Sequence, residues 1–110
     1  MASGLNQVQL CGNIGGEPEL RSTGGGVEVL NLTLATTERV KKLGEWTDHT
    51  EWHRLVIWGG QAVSLYKVVS KGDRLFITGG LRTTSWTDAH GAKKYTTEIH
   101  CKEIIWSKKQ

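Results

Sequence analysis

Apolar and polar residues alternate along several short segments of the chain, a pattern typical of β-strands that bury one face. Residues 6–14 form the first such segment, in which Val8, Leu10 and Ile14 fall on the same side. Residues 27–37 form the second, with three leucines on one side and Val29, an asparagine and a threonine on the other. Both segments are predicted to be strands.

Three later segments are also predicted to be strands. Residues 51–59 alternate in the same way, and residues 95–106 are predicted to be the last strand. Residues 74–88 are predicted to be one long strand, interrupted or bulged at Gly79 and Gly80, because glycine inside a strand pattern indicates a bulge.

The segments between these strands include one helix. Residues 38–50 are polar and charged and predict a long loop or a mobile hairpin, and residues 89–94 predict a turn or protruding loop. A helical stripe at i, i+3, i+4 and i+7 predicts about three turns of helix ending near Gly72. The residues of this stripe are Ala62, Leu65, Tyr66 and Val69.

The resulting order is strand, strand, strand, helix, strand, strand. This order predicts an all-β protein with the OB-fold, a five-stranded Greek-key barrel that carries one helix between strands 3 and 4. A parallel α/β fold would need a helix between most of its strands. At 110 residues the chain fits one domain, so we expect residues 1–110 to form a single OB-fold domain without a separate catalytic unit.

The two cysteines, Cys11 and Cys101, lie 90 positions apart and show no metal-binding spacing. They are interpreted as two small buried thiols in a reducing compartment, with a disulfide closing most of the domain as the alternative. No signal-peptide pattern is present at the N-terminus, and no apolar run approaches a membrane span, so we expect a cytoplasmic location.

The five tryptophans, against a single phenylalanine, exceed what a small core needs. In residues 51–59, Trp52, Arg54 and Trp58 share one side with a valine, while the other side is mostly apolar and is expected to face the core. Arg82 and Trp86 share the less apolar side of their own strand. Exposed indoles suit stacking on unpaired bases, which contributes about 1–3 kcal/mol per base and does not depend on base identity.

Basic residues surround these segments, and the chain carries a formal net charge of +3. Such a charge suits a polyanionic partner but is weak support by itself. Arginine and lysine side chains near strand ends and in the predicted loops are candidates for phosphate contacts. These candidates are Arg21, Lys71, Arg74, Lys93 and Lys94.

The residues do not predict an enzyme. No nucleophile and base stand in a convincing pair, and His49 and His53 on one strand would lie about 13 Å apart, too far to share an ion. We therefore expect no catalytic residues, no metal and no organic cofactor.

Several segments agree in order and spacing with one known family. VQLCGNIGGEPELR, TEWHRLVIWG, GGLRTTSWTD and YTTE resemble the bacterial single-stranded DNA-binding protein family, from about Leu5 to Lys102. The resemblance implies a homotetramer that wraps single-stranded DNA without sequence preference and protects it in replication, recombination and repair. It also implies stacking roles for Trp52, Trp58 and Trp86.

The resemblance further implies where subunits meet. The N-terminal strand is implied to pair between subunits, which places Asn6, Val8 and Leu10 in the oligomer interface. His53 is implied to support the contact between subunits.

The chain departs from the family pattern at several positions. Val40 stands where well-known members have a stacking tryptophan, and Trp46 lies in the same predicted loop. Thr84, Ser85 and Gly60 stand where basic residues are frequent, so we expect a weaker or less salt-sensitive binder. The sequence also lacks the acidic tip that recruits other proteins in the family, so tail-mediated partners are not expected for this chain.

Two alternative functions keep the same fold. An assembly module of the primosomal type would use the tryptophans as a protein interface and bind nucleic acid weakly. An oligosaccharide-binding module would stack sugars on the same aromatic rings without needing cations.

Overall fold

The computed structural model describes residues 3–109, so Met1, Ala2 and Gln110 of the expected 1–110 domain lie outside the described residues. Six strands and one helix follow each other along the chain. They are β1 (Val8–Ile14), β2 (Glu19–Ser22), β3 (Glu28–Lys42), β4 (Glu45–Trp58), α1 (Gly60–Tyr66), β5 (Arg74–Thr87) and β6 (Lys93–Ser107).

Five of the strands close into a barrel. Their order is β1-β5-β6-β4-β3, and β3 returns to β1 through the pairs Asn13↔Ala35 and Ile14↔Leu34. The β4–β6 pairing is parallel and the others are antiparallel. The short strand β2 adds to the edge of β3, and α1 lies between the third and fourth long strands. The predicted all-β OB-fold is therefore confirmed.

Apolar side chains from alternate positions of the strands fill the barrel interior. Leucines at every second position of β3 are buried, as are alternate residues of β4 and β5. The fully buried side chains include Leu30, Leu34, Leu55, Ile57, Leu75 and Ile77. Val29 and Val56, on the opposite sides of their strands, are also buried. Burial of this apolar surface is the main source of the barrel's stability.

Close contact between strands requires glycine at two positions. A Cβ on Gly12 would overlap the carbonyl oxygen of Ala35, where β1 closes onto β3. A Cβ on Gly79 would overlap the carbonyl oxygen of His100, next to the register shift between Thr78 and Gly79. The irregularity lies beside the predicted glycine pair, but the extra residue is Lys102 of β6, so β5 itself is neither interrupted nor bulged.

The elements differ from the sequence prediction in two respects. Strand β2 was not predicted, because its four residues are too few to show a period. The helix has seven residues rather than three turns, and Tyr66 of the predicted stripe is 44% exposed, since the helix ends there. Of the loop and the hairpin predicted for residues 38–50, the structure has the hairpin, whose arms belong to β3 and β4 and which turns at Leu43 and Gly44.

The buried carboxylate of Asp73 joins the turn before β5 to the end of β6. Its Oδ2 accepts hydrogen bonds from the Trp106 indole (2.9 Å) and the Ser70 backbone N–H (2.9 Å), and its Oδ1 accepts one from the Lys109 backbone N–H (3.0 Å). The Trp106 hydrogen bond, followed by that of Lys109, lowers the pKa of Asp73. The last described residues are thereby held against the barrel.

The two cysteines are both free thiols. Cys11 pairs with Phe76, and Cys101 pairs with Gly79 further along β5, so the two cysteines lie on strands that are not neighbours. Strands two apart are separated by about 9.6 Å, beyond disulfide reach. Burial raises the pKa of Cys101 to about 12, whereas Cys11 is exposed, so the expectation of two buried thiols is wrong for Cys11.

Candidate nucleic-acid interface

Strand β4 carries two of the three indoles predicted to stack, on the outer face of the barrel. Trp52 is 60% exposed and Trp58 is 45% exposed, and Arg54 between them is also exposed. Leu55 and Ile57 on the other side of the strand are buried, as the alternation predicts. Val56 shares the outer side but is buried, with Asn31 on β3 and His100 on β6 as its register partners.

Strand β5 presents the third indole predicted to stack. Trp86 is 53% exposed, and its Nε1 donates a hydrogen bond to Oγ1 of Thr96 on β6 (3.4 Å). Lys94 is the register partner of Trp86, so a predicted cation stands next to a predicted stacking ring. Arg82 lies on the same side of β5, opposite Glu98.

Strand β6 lies between β4 and β5 and joins these side chains into one surface. We call this surface the aromatic face. It is defined by Trp52, Arg54, Trp58, Arg82 and Trp86. A groove of about 320 Å³ adjoins part of this face, and Trp52, Arg54 and Tyr95 are among its lining residues.

Tyr95 was not singled out in the sequence, although it is 66% exposed and lines the same groove as Trp52. The ammonium of Lys93 lies 5.8 Å from its ring centroid. The sequence did not predict the exposure of Tyr95, because Tyr95 has the strand parity of buried Ile99. Its side chain is exposed because the β5–β6 hairpin projects beyond the core.

The indole of Trp52 packs over Gly15. A Cβ at position 15 would overlap the six-membered ring of Trp52, whereas a Cβ at Gly16 would meet no atom within 4 Å. The absence of a side chain at Gly15 therefore sets how close the indole lies to the backbone.

The cations predicted to contact phosphates fall in different surroundings. Arg21 and Arg54 line a second groove of about 370 Å³ together with Glu17, Glu19 and Glu98. This groove is therefore mixed in charge rather than uniformly basic.

Two of the predicted cations are not brought next to the three indoles. Arg74 begins β5, twelve positions before Trp86, and its Nη1 donates to Oδ1 of Asn13 (3.3 Å). Lys71 lies in the turn before β5, where its carbonyl oxygen accepts a hydrogen bond from Nζ of Lys109 (3.2 Å). Lys71 and Arg74 would contact a bound strand only where it extends along the surface beyond the aromatic face.

The β3–β4 hairpin continues the outer side of β4. Trp46 has the same strand parity as Trp52 and is 59% exposed, with Nζ of its register partner Lys41 5.8 Å from the ring centroid. Val40 pairs with Thr47, on the opposite side of the hairpin. Trp46 therefore stands on the side of the hairpin that continues the aromatic face.

Of the residues expected at a subunit contact, Asn6, Val8 and Leu10 lie in or just before β1, and His53 lies on β4. The Asn6 side chain exchanges two 2.8 Å hydrogen bonds with the backbone of Leu81. Val8 and Leu10 are partly buried against the core, and Nε2 of His53 lies 2.8 Å from Oγ1 of Thr36. Within residues 3–109, β1 pairs with β5 along Val8–Asn13, but with β3 only at its last two residues.

Two histidines considered for metal binding have other surroundings. Nε2 of His49 lies 2.8 Å from Oε2 of Glu51, and His53 contacts Thr36. Among the residues that the structure describes, no group of three or more histidine, cysteine or acidic side chains could hold a metal ion. Within the same range, no helix is long and apolar enough to cross a membrane.

Comparison with known proteins identifies relatives over nearly the whole chain. Residues 5–106 match the model of the single-strand binding protein family. A single-stranded DNA-binding protein of Rickettsia typhi is 48% identical over 102 residues, which cover 90% of this chain and 67% of the relative. Single-stranded DNA-binding protein 1 of Xylella fastidiosa is 42% identical over 113 residues, covering 100% of this chain and 82% of that protein.

Solved structures show the same architecture. A Plasmodium falciparum SSB in complex with ssDNA superposes with a TM-score of 0.87 at 31% identity, covering 97% of this chain and 98% of that one. A deletion mutant of the single-stranded DNA binding protein from Thermus aquaticus gives a TM-score of 0.84 at 31% identity, covering 98% of this chain and 53% of the other.

Proposed function

The chain belongs to the single-strand binding protein family, and we propose that it binds and protects single-stranded DNA without sequence preference, in replication, recombination and repair. The observation that carries this proposal is the aromatic face, where three indoles between 45% and 60% exposed accompany two exposed guanidinium groups. Flat exposed rings suit unpaired bases, whereas the bases of a duplex are already stacked.

We assign stacking to Trp52, Trp58 and Trp86. Arg54 and Arg82 lie among these rings and would hold phosphates or stack on bases themselves. Arg21, Lys93 and Lys94 would guide the strand across the same surface, and Lys71 and Arg74 would contact it further along the barrel. The protein acts by binding, and no residue is assigned to catalysis.

The assembly is proposed to be a homotetramer. Along Val8–Gly12, the edge of β1 that faces away from β5 has no strand partner among the described residues. Its backbone N–H and C=O groups are available to pair with β1 of a second copy. Val8 and Leu10 would lie at that contact, with His53 beside it. Asn6 would act indirectly, because its side chain holds the segment before β1 against β5.

We further propose that residues 1–110 act as one OB-fold domain in the cytoplasm. The continuous pairing from β1 to β6 supports one cooperative unit within residues 3–109. The cytoplasmic location rests on the family and on the free thiols, which are typical of reducing compartments.

The test is a titration with poly-dT, followed by tryptophan fluorescence. We expect strong quenching, because bases that stack on indoles quench their emission. Trp52→Ala and Trp86→Ala should each weaken binding by about 1–3 kcal/mol per stacked base. Trp106→Phe is the matched control, since Trp106 is bonded to Asp73 and lies off the aromatic face. Unchanged affinity in both alanine variants would contradict the assigned stacking surface.

Fluorescence also tests the assembly-module alternative. If the aromatic face were a protein interface, poly-dT would quench its indoles only weakly. A separate titration with acrylamide would then show these indoles shielded from the quencher in the assembled protein.

A further inference from the structure

A histidine on β6 contacts one of the proposed stacking indoles. Nε1 of Trp58 donates a hydrogen bond to Nδ1 of His100 (3.0 Å). The two rings lie side by side, with centroids 6.0 Å apart and planes 27° from parallel. The imidazole therefore holds the indole through its only polar atom, with the two rings close to one plane.

The hydrogen bond from Trp58 fixes the tautomer of the neutral imidazole of His100. Because Nδ1 accepts from Trp58, the proton of the neutral ring lies on Nε2. This Nε2 is buried and has no hydrogen-bond partner, and Oε1 of Glu98 lies 3.6 Å from it. The carboxylate favours the tautomer that leaves Nδ1 free to accept from the indole.

The surrounding strands fix the position of His100. Its register partners are Val56 on β4 and Gly80 on β5, so the ring stands in the middle of the surface that carries the aromatic face. Gly80 places no side chain against it. A groove of about 220 Å³ opens beside the ring, and Arg82 and Lys102 are among its lining residues.

We propose that His100 is a positioning residue that holds the Trp58 indole in the orientation needed for base stacking; this inference rests on the proposed function. A half-exposed tryptophan that is free to change rotamer loses that freedom when a base binds, which weakens the complex. His100 removes this loss before DNA arrives. Glu98 supports the arrangement through the imidazole and does not itself contact the indole.

Three substitutions test the hydrogen bond. His100→Phe keeps a ring of similar shape but removes the acceptor, His100→Asn keeps an acceptor on a smaller side chain, and His100→Ala removes both. We expect His100→Ala to weaken binding to an oligo-dT by about 3- to 10-fold, the size of one hydrogen-bond contribution, and His100→Asn to weaken it less than His100→Phe. His49→Ala is the control, because His49 lies on the other side of β4 and should leave affinity unchanged.

A spectroscopic measurement tests the positioning without DNA. The indole N–H resonance of Trp58, assigned by its loss in Trp58→Phe, should move in His100→Phe and His100→Ala, and should stay closer to its original position in His100→Asn. An unmoved resonance in His100→Ala would overturn the proposal, even if wild-type protein binds oligo-dT normally.

A double-mutant cycle distinguishes positioning from general damage to the barrel. In a Trp58→Ala background, His100→Ala should cause no further loss of affinity, because the indole that it positions is absent. An equal loss in both backgrounds would overturn the inference and leave the proposed function intact. Failure of the wild-type protein to bind oligo-dT would instead refute the proposed function, while the resonance measurement would still decide the role of His100.

Discussion

Gly15 lies against the indole of Trp52, and this contact sets the orientation of the ring on the outer face of the barrel. A side chain at position 15 would occupy the space that the six-membered ring now fills. Trp52 is 60% exposed, so its ring has room to move outwards rather than to repack. The orientation of the first proposed stacking platform therefore depends on a residue that would not itself contact DNA.

Gly15→Ala should consequently weaken binding to poly-dT with little loss of folding stability. We expect up to about 1–3 kcal/mol, the contribution of one stacked base, because the displaced indole no longer lies where the base meets it. Gly16→Ala is the matched control, since a methyl group at that position would meet no atom within 4 Å. Fluorescence titration measures the affinity and urea unfolding the stability. Equal affinities for the two variants would count against this account.

At the scale of elements, the Asp73 carboxylate holds β6 to the turn that precedes β5. It accepts three hydrogen bonds, from the Trp106 indole and from two backbone N–H groups, and these lower its pKa. A carboxyl group with a lowered pKa in the folded state stabilises that state when ionised. This stabilisation is present above the ordinary value of 3.8 and is lost as the pH falls through the lowered one.

Asp73→Asn should therefore lower the free energy of unfolding at neutral pH, because the amide replaces one accepting oxygen by a donor. The difference from wild type should shrink as the pH falls through the lowered pKa of Asp73, because the wild-type carboxyl is then protonated as well. Urea unfolding at a series of pH values measures this. Asp48→Asn serves as a control, since the exposed Arg39–Asp48 pair contributes little. A difference that stayed constant down to acid pH would show that the charge is not responsible.

At the scale of the whole molecule, the charge on the aromatic face is modest. Arg54 and Arg82 share this surface with Glu98, and Thr84 and Ser85, between Arg82 and Trp86, are uncharged. Fewer neutralised phosphates mean a shallower dependence of binding on salt, by about 0.7 in the logarithmic slope for each phosphate on a single strand.

Thr84→Lys places a cation between Arg82 and Trp86 and should steepen the salt dependence. We expect the slope of log K against log salt concentration to increase by about 0.7 in magnitude. Val68→Lys adds the same charge beyond the end of α1, outside the three grooves, and should change the slope less. Titrations with poly-dT at several salt concentrations measure both. Equal slopes for wild type and Thr84→Lys would refute the assignment of this strand to the DNA path.

The sequence alone determined the barrel segments of the long strands, without the hairpin arms over residues 38–50, and which of their sides face the core. Period-two alternation is a local property, since each side chain of a strand points opposite to its neighbour, so the exposure of Trp52, Trp58 and Trp86 followed from it. Alternation gave no signal in the four residues of β2, and the helical stripe extended beyond the end of α1 at Tyr66. Tyr95 was missed for a related reason, because its parity is that of core residues while its hairpin projects beyond the core.

Only the tertiary structure decided which distant residues meet. Trp58 and His100 are separated by 42 positions, and Asp73 and Trp106 by 33, yet each pair shares a hydrogen bond. Strand order, the parallel β4–β6 pairing and the register shift beside Gly79 set these contacts, and none of them is encoded in the alternation of a single segment. Contacts of this kind follow from register between strands, which depends on how the whole barrel closes.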